Sequence, residues 1–185
     1  MLADVAAGLY IKFVVSLKQG DLQAPSQLST QFLQLLDELD AVLDTSNHFS
    51  FGHWLSTAGS VAANANQHAL YGFNARNLVT RWGPNGQIAD YSSRLWSGLI
   101  RSYYKQRWKI ALESTVKAWR PGVEVSDQGF QQQLTRFEEQ WQDRGLELEP
   151  VPPGLVVGAA KIVPEVQRLY GKYQALSLEV CGMIN

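Results

Sequence analysis

Acidic side chains are the first candidates for chemistry in this sequence of 185 residues. Acid–base catalysis by paired carboxylates needs acids that face a substrate from defined positions. Glu138 and Glu139 are adjacent, so on a helix they point in different directions, and Glu113 stands among basic neighbours. Asp37, Glu38 and Asp40 fall on the polar face of a predicted helix. We therefore predict surface charges or caps at all these positions and no catalytic residue in the chain.

Metal, nucleophile and phosphate chemistry find even less support. His48, His53 and His68 have no histidine partner at i, i+4, and a Cys-x-x-Cys pair is missing, so no zinc site is predicted. Cys181 is the only cysteine, which excludes an intrachain disulfide and leaves the cellular compartment open. The sequence contains neither a Gly-x-Ser-x-Gly elbow nor a phosphate-binding glycine loop. We predict no cofactor and no metal.

Basic residues are concentrated in the centre of the chain. The stretch 76–120 carries nine basic residues and two acids, whereas the whole chain has a net charge of −1. Such a stretch either binds an anion or packs against the acidic part of its own fold, and we favour the internal or solvated arrangement. A stand-alone helical module for nucleic acid or another polyanion is the alternative function. Against it, Tyr103, Tyr104 and Trp108 stand at core spacing.

The stretch from Tyr71 to Trp119 organises the rest of the chain, because it holds four of the six tryptophans. It is predicted to end one amphipathic helix, to turn at Trp82-Gly83-Pro84-Asn85-Gly86 and to continue as a central helix of about 30 residues. Asp90 is the candidate N-cap of that helix, and Pro121-Gly122 would end it. Apolar residues from Leu95 to Trp119 recur at helical period and predict a wide buried face.

Amphipathic helices are also predicted on both sides of this stretch. They begin near Leu2, near Ser26, at Phe51 or Trp54 (continuing to about Thr80), at a cap on Ser126 or Asp127, and near Pro164, after a connection at 150–154. No segment has strand periodicity and no apolar run is long enough for a membrane span. We predict an all-α array of about six amphipathic helices around a long central helix. It would form a single domain over 1–185, with a tail at 177–185 that could be disordered.

The central stretch also resembles a known family. The run from Asn74 to Tyr91, followed by Leu99-Ile100, Tyr103-Tyr104, Arg107-Trp108 and Glu113, is similar to the C-terminal helical domain of alpha-N-acetylglucosaminidase, a retaining glycoside hydrolase. Weaker matches follow in order at 35–43, 51–55 and 169–173. The first predicted helix is already in progress at residue 2 or 3 and aligns with the middle of that domain. We therefore expect a chain truncated before the catalytic barrel.

The resemblance implies that the barrel supplies both catalytic glutamates, while the helical domain packs across its mouth and lends residues to the sugar pocket. We assign this substrate-binding role to Trp82 and Ile88, since an indole face stacks on a pyranose and Ile88 could lie beside an N-acetyl methyl group. Two alternatives stay open: Trp82 as a buried anchor of the turn and Ile88 as a core residue at a helix start. Asn85 stands where the family often carries an acid.

The predicted function is that of the C-terminal helical portion of an alpha-N-acetylglucosaminidase, which helps to form the pocket for terminal alpha-linked N-acetylglucosamine of glycans. Without the barrel the chain is expected to be inactive. Predicted partners are the upstream catalytic barrel and a glycan with terminal N-acetylglucosamine, and exposed apolar area would favour self-association. The first residues, Met-Leu-Ala-Asp-Val, do not resemble a signal peptide, and the location of the protein stays open.

Overall fold

The computed structural model describes residues 2–21, 23–83, 86, 88–120, 128–148, 150 and 162–184. Most of this part of the chain lies in seven helices: α1 (Leu2–Lys18), α2 (Ala24–Leu43), α3 (Phe51–Ser60), α4 (Ala65–Val79), α5 (Lys105–Ala118), α6 (Gln128–Gln142) and α7 (Ile162–Ile184). A 3₁₀ turn at Asn47–Phe49 precedes α3, and a π turn at Ile100–Tyr104 precedes α5. Strands β1 (Arg81–Trp82) and β2 (Ile88–Ala89) form a small hairpin. The predicted all-α class is confirmed.

The buried side chains of the described residues form two hydrophobic clusters on either side of the π turn and α5. The first joins α1, α2, α5 and α7 through residues that include Val5, Leu9, Phe13, Phe32, Leu35, Ile100, Leu112 and Leu169. The second joins α3, α4, α6 and the π turn through Phe51, Leu55, Ala75, Val79, Leu99, Tyr103 and Trp141. Tyr104 packs against both clusters. The π turn therefore lies between the two clusters and contributes side chains to both.

The predicted helix from Phe51 or Trp54 to Thr80 is wrong in its middle, because the structure divides it. Helix α3 ends at Ser60, and α4 begins after Asn64, whose side chain accepts a hydrogen bond from the amide of Gln67 at 3.0 Å. Asparagine at this position satisfies an amide that has no partner in the first turn of the new helix. The cap at Asn64 therefore starts a new helix, and the described residues form seven helices where about six were predicted.

The prediction of a central helix that starts at Asp90 is also wrong. The helical backbone begins only at Leu99, and Asp90 adopts a left-handed backbone conformation with φ of 57°. A carboxylate from α2 fixes the true start: Asp40 accepts hydrogen bonds from the amides of Gly98 at 2.7 Å and Arg101 at 3.0 Å. Gly98 itself has φ of 78°, which a residue with a side chain rarely adopts. The cap is thus supplied by a residue distant in sequence.

Several carboxylates expected on the surface are buried instead. Glu38, Asp40 and Glu138 have exposed fractions of 7%, 1% and 7%. Each has a partner that compensates for the loss of water: Asp40 lies 2.6 Å from the guanidinium of Arg101, and Glu38 accepts hydrogen bonds from Lys172 at 2.7 Å and from the Tyr173 hydroxyl at 2.6 Å. Glu38 therefore ties α7 to α2, and Asp40 ties α2 to the start of the π turn.

Helix α4 packs closely against the turn that follows α6. The Nε atom of Arg76 donates a hydrogen bond to the carbonyl of Gly145 at 2.7 Å, and Nη2 donates to the carbonyl of Glu147. The guanidinium carbon lies 4.2 Å from the ring centroid of Trp141, and burial lowers the pKa of Arg76 to about 10. At Gly72 a Cβ atom would stand 2.5 Å from the carbonyl carbon of Gly145. Arginine and glycine thus hold two backbone segments together.

Some predictions fall on residues that the structure does not describe. The predicted helix end at Pro121-Gly122, the candidate caps Ser126 and Asp127, and all of the predicted connection at 150–154 except Pro150 lie outside the described residues. Pro164 lies in the first turn of α7, which begins at Ile162. The structure gives helix as far as Ile184, while the single domain and the disorder of 177–185 stay predictions. Among the described residues, no helix qualifies as a membrane span.

Candidate functional site

The hairpin that follows α4 presents an apolar face to the outside of the molecule. Trp82 of β1 lies directly opposite Ile88 of β2 in the antiparallel register. Both side chains are partly exposed, Trp82 at 36% and Ile88 at 47%. The ring centroid of Trp82 lies 4.3 Å from that of Tyr91, and Tyr91 is 64% exposed. We call Trp82, Ile88 and Tyr91 the hairpin patch.

The two residues that the sequence assigned to substrate binding therefore meet on one surface. The alternative for Ile88, a core residue at a helix start, is wrong, because Ile88 lies in a strand with an exposed side chain. Tyr91 was not assigned to this site from the sequence, although its ring packs against that of Trp82. Its tyrosine type and its place three residues after Ile88 were the available signal. The role of Trp82 and Ile88 in binding stays a prediction.

The strand neighbours of the patch residues are Arg81 and Ala89, which pair on the opposite face of the hairpin. The guanidinium of Arg81 lies 3.5 Å from Glu138 and 3.4 Å from Glu139, both on α6. Its side chain is 12% exposed, and that of Glu138 is 9% exposed. Burial makes an ion contact of this kind less sensitive to salt than one on the surface. Strand β1 is thus attached to α6 through its inner face.

Arg107 of α5 reaches the other strand. Its Nη1 atom donates hydrogen bonds to both carboxylate oxygens of Asp90, at 2.7 and 2.6 Å, and Asp90 directly follows β2. Its Nε atom lies 2.8 Å from the carboxylate of Glu138, the residue that also contacts Arg81. The guanidinium carbon lies 5.1 Å from the ring centroid of Tyr103. We call Arg81, Asp90, Arg107 and Glu138 the hairpin ion network.

The protonation equilibria of this network reflect its burial. Loss of water around Glu138 raises the pKa of its carboxyl group, although Arg107 and Arg81 act in the opposite direction. Burial lowers the affinity of Arg107 for its proton, but the hydrogen bond to Asp90 and the nearby negative charges leave the pKa of Arg107 above its ordinary value. Burial also raises the pKa of Tyr104 to about 12, so this phenol stays neutral at physiological pH.

Backbone geometry holds the segment after β2 in place. The amide of Asp90 donates a hydrogen bond to the carbonyl of Thr80 at 2.7 Å, which continues the pairing of the two strands. Ser93 donates to the carbonyl of Asp90 from its amide at 3.1 Å and from its hydroxyl at 2.8 Å. On the opposite side, Asn77 of α4 donates to the carbonyl of Gly83 at 3.3 Å. Both ends of the hairpin are therefore bonded to the helical scaffold.

The acids considered as candidates for catalysis are used elsewhere or stand apart. Glu138 neutralises two guanidinium groups, and the side chains of Glu113 and Glu139 are 66% and 59% exposed. Within the described part of the chain, no group of three or more histidine, cysteine or acidic residues could hold a metal ion. What this surface offers chemically is an aromatic and aliphatic patch of fixed geometry, suited to contact with an apolar or sugar surface.

The basic residues of the central stretch are largely used within the fold. Besides Arg107, Arg101 of the π turn pairs with Asp40 at 2.6 Å and Lys105 of α5 pairs with Asp37 at 2.6 Å, and both carboxylates lie on α2. The favoured prediction, that this stretch packs against the acidic part of its own fold, is confirmed for these residues. A cation held by a partly buried carboxylate is less available to a polyanion.

Comparison with known proteins connects these features. The helices and the hairpin patch define an all-α fold that presents an apolar hairpin on its surface. The chain belongs to the family of the alpha-N-acetylglucosaminidase (NAGLU) C-terminal domain, whose sequence model matches residues 1–165. Human alpha-N-acetylglucosaminidase is 33% identical over 106 residues, which cover 57% of this chain and 14% of the human protein. The resemblance identified from the sequence is thereby confirmed.

Solved structures agree with the fold. A family 89 glycoside hydrolase from Clostridium perfringens, solved with its substrate GlcNAc-alpha-1,4-galactose, superposes with a TM-score of 0.69 at 24% identity over 91% of this chain. The same bacterial enzyme with the ligand PUGNAc gives a TM-score of 0.71 at 24% identity over 90% of this chain. The chain spans 20% and 19% of these solved chains. The likeness therefore shows that this chain has the fold of about one fifth of each solved enzyme.

Proposed function

We propose that this chain helps to form the substrate pocket of an alpha-N-acetylglucosaminidase, with the hairpin patch as part of the pocket wall. The whole enzyme would hydrolyse terminal alpha-linked N-acetylglucosamine from glycans. The observation that carries the proposal is the direct pairing of Trp82 with Ile88 on the outward face of a hairpin whose inner face is tied to α5 and α6. An exposed apolar patch on a rigid support is a common mark of a binding surface.

The chemistry of the patch suits an N-acetylated sugar. The face of an indole ring offers a flat apolar surface to the C–H groups of a pyranose, and Tyr91 extends that surface next to Trp82. Ile88, on the adjacent strand, supplies an aliphatic contact for the methyl group of an N-acetyl substituent. Sugar pockets combine such apolar contacts with a few hydrogen-bonding groups. The catalytic domain would provide those groups together with the catalytic carboxylates.

The chain is expected to be inactive without that domain. Retaining hydrolysis needs two carboxyl groups about 5–5.5 Å apart, one of them free to act as a nucleophile. Glu138 is engaged by Arg81 and Arg107, and the exposed Glu113 and Glu139 lie on different helices. The purified chain should therefore not hydrolyse an aryl alpha-N-acetylglucosaminide.

The proposal can be tested by joining this chain to the catalytic domain of the Clostridium perfringens enzyme in place of that enzyme's matching region. The substrate would be GlcNAc-alpha-1,4-galactose, with which that enzyme was solved. We expect Trp82→Ala and Ile88→Ala each to lower kcat/KM about tenfold, equivalent to about 1.4 kcal/mol of lost transition-state stabilisation.

Tyr170→Ala is the matched control, since Tyr170 is a 49% exposed aromatic residue on α7, outside the hairpin. It should leave kcat/KM within twofold of the unmodified fusion. Equal activity of Trp82→Ala, Ile88→Ala and the control would contradict the proposal, and so would a folded fusion that hydrolyses nothing.

The alternative of a polyanion-binding module is not favoured by the structure. Arg101, Lys105 and Arg107 are held by carboxylates of the same chain, and none of the similar proteins described above is named as a nucleic-acid-binding protein. Binding through phosphates would weaken steeply between about 50 and 200 mM salt, whereas contact of a neutral sugar with Trp82 should hardly change. A salt titration therefore separates the two functions.

A further inference from the structure

Arg107 occupies a special position, because it connects to both strands of the hairpin from a single helix. It bonds directly to Asp90 at the end of β2, at 2.7 and 2.6 Å. It reaches β1 indirectly, since its Nε atom lies 2.8 Å from Glu138, which in turn lies 3.5 Å from Arg81. Two short strands of two residues each have little stability of their own in water. The orientation of the hairpin must therefore be fixed from outside.

The hairpin ion network is sufficiently buried to fix the orientation of the hairpin. The side chain of Arg107 is 20% exposed and that of Glu138 is 9% exposed. The guanidinium carbon also lies over the ring of Tyr103, a fully buried residue of the π turn. A charge pair with this degree of burial resists salt and keeps a defined geometry. Arg107 bonds to Asp90, which directly follows β2, so an effect on Trp82 and Ile88 can pass through the backbone of the two strands.

We infer that Arg107, together with Glu138, is a positioning residue for the substrate pocket: it sets the orientation of the hairpin and thereby the places of Trp82 and Ile88 in the pocket wall. This inference rests on the proposed function of the hairpin patch. Arginine suits the task because its planar guanidinium group serves Asp90 and Glu138 from different nitrogen atoms. The compact ammonium group of lysine cannot span both carboxylates in the same way.

The first test uses the complete chain and needs no activity. Hydrogen exchange of the Asp90 amide reports directly on the hairpin, because this amide bonds to Thr80 across its base. In Arg107→Met we expect this amide to exchange at least tenfold faster, while amides of α2 keep their rates. Lys109→Met is the matched control on the same helix, with a side chain that is 51% exposed, and should change neither rate.

The second test uses the fusion with the catalytic domain and a double-mutant cycle. Arg107→Met should lower kcat/KM about tenfold, chiefly through KM, and Arg107→Lys should recover part of the loss. If Arg107 acts through Trp82 and Ile88, then in a background that carries both Trp82→Ala and Ile88→Ala the same Arg107→Met change should cost less than twofold. A full additional loss in that background would overturn the inference, because a general loss of stability does not depend on the patch residues.

The outcomes also separate this inference from the proposed function. If Trp82→Ala lowers kcat/KM while Arg107→Met leaves the Asp90 amide protected, the pocket role of the patch stands and the positioning role falls. If Trp82→Ala has no effect on kcat/KM, the proposed function falls, and with it the positioning role, even where Arg107→Met loosens the hairpin. Should Arg107→Met fail to fold, Glu138→Gln provides the same comparison, since it keeps the shape of the side chain and removes its charge.

Discussion

Replacement of Arg76 by methionine tests how α4 is held against the turn after α6. Methionine keeps an aliphatic stem over Trp141 but donates no hydrogen bonds to the carbonyls of Gly145 and Glu147. A hydrogen bond that involves a charged group contributes about 1.5–3 kcal/mol, so two lost bonds cost about 3 kcal/mol at the lower end of that range. We use the lower end because burial of the guanidinium group, which lowers its pKa to about 10, opposes its contribution.

Thermal and urea unfolding, followed by circular dichroism, would measure this change. A loss of about 3 kcal/mol in a domain of this size corresponds to a fall in Tm of about 6–12 °C. Arg136→Met is the control, because Arg136 is an exposed residue of α6 and its replacement should change the unfolding free energy by less than about 0.5 kcal/mol. Arg76→Lys should fall between the two, since one ammonium group cannot reach both carbonyls with the same fork.

The reasoning would be refuted if Arg76→Met and Arg136→Met had the same Tm. Such a result would mean that the two carbonyls find water as readily as they find the guanidinium group. A large loss in Arg76→Met together with full stability in Arg76→Lys would instead assign the effect to the charge alone and not to the paired hydrogen bonds.

Two further changes test the close contacts of the fold and its response to pH. Gly72→Ala should destabilise the folded chain by about 1–3 kcal/mol, because the new Cβ atom would stand 2.5 Å from the backbone of Gly145. Gly171 on α7 has open space around it, so Gly171→Ala should stabilise the folded chain by up to about 1 kcal/mol. Urea unfolding that ranks the two variants the other way would contradict this packing. Because burial raises the pKa of Glu138 in the folded state, that state binds the proton more tightly than the unfolded chain. The contribution of Glu138 to stability should therefore fall as the pH rises from its pKa in the unfolded chain towards its raised pKa in the folded state. Across that interval the unfolding free energy of the wild type, measured relative to that of Glu138→Gln, should decline. A difference that does not change with pH would contradict the raised pKa.

The sequence predicted the helices well where a helix is specified locally. Leu9, Phe13 and Leu17 recur at helical spacing, and α1 buries all of them. The same rule failed after the hairpin, because Leu95, Leu99 and Tyr103 also follow i, i+4 spacing. Only Leu99 and Tyr103 are buried, while Leu95 is 58% exposed. The spacing of apolar residues indicates which residues would share one face of a helix. It cannot indicate where the helix starts when the cap comes from another helix.

The buried charges were beyond the sequence for a related reason. Asp40 and Arg101 are separated by 61 positions and Glu38 and Tyr173 by 135, so no local pattern links them. Their interior positions depend on tertiary packing, which decides whether a polar residue on a helix faces water or a partner. The residues of the candidate site were easier to locate from the sequence, since Trp82 and Ile88 lie on either side of a turn marked by Gly83 and Gly86.

The division of the core into two hydrophobic clusters, with the π turn between them, has a consequence for the partial unfolding of this chain. Helix α7 packs chiefly against α1 and α2, whereas the hairpin is bonded to α4, α5 and α6. Proteins open in cooperative units with different free energies, and a unit can detach without disturbing the contacts of another. Transient detachment of α7 would expose the cluster around Leu169 and leave the hairpin in place. We therefore expect the hairpin patch, which we assign to sugar binding, to keep its structure when α7 detaches transiently.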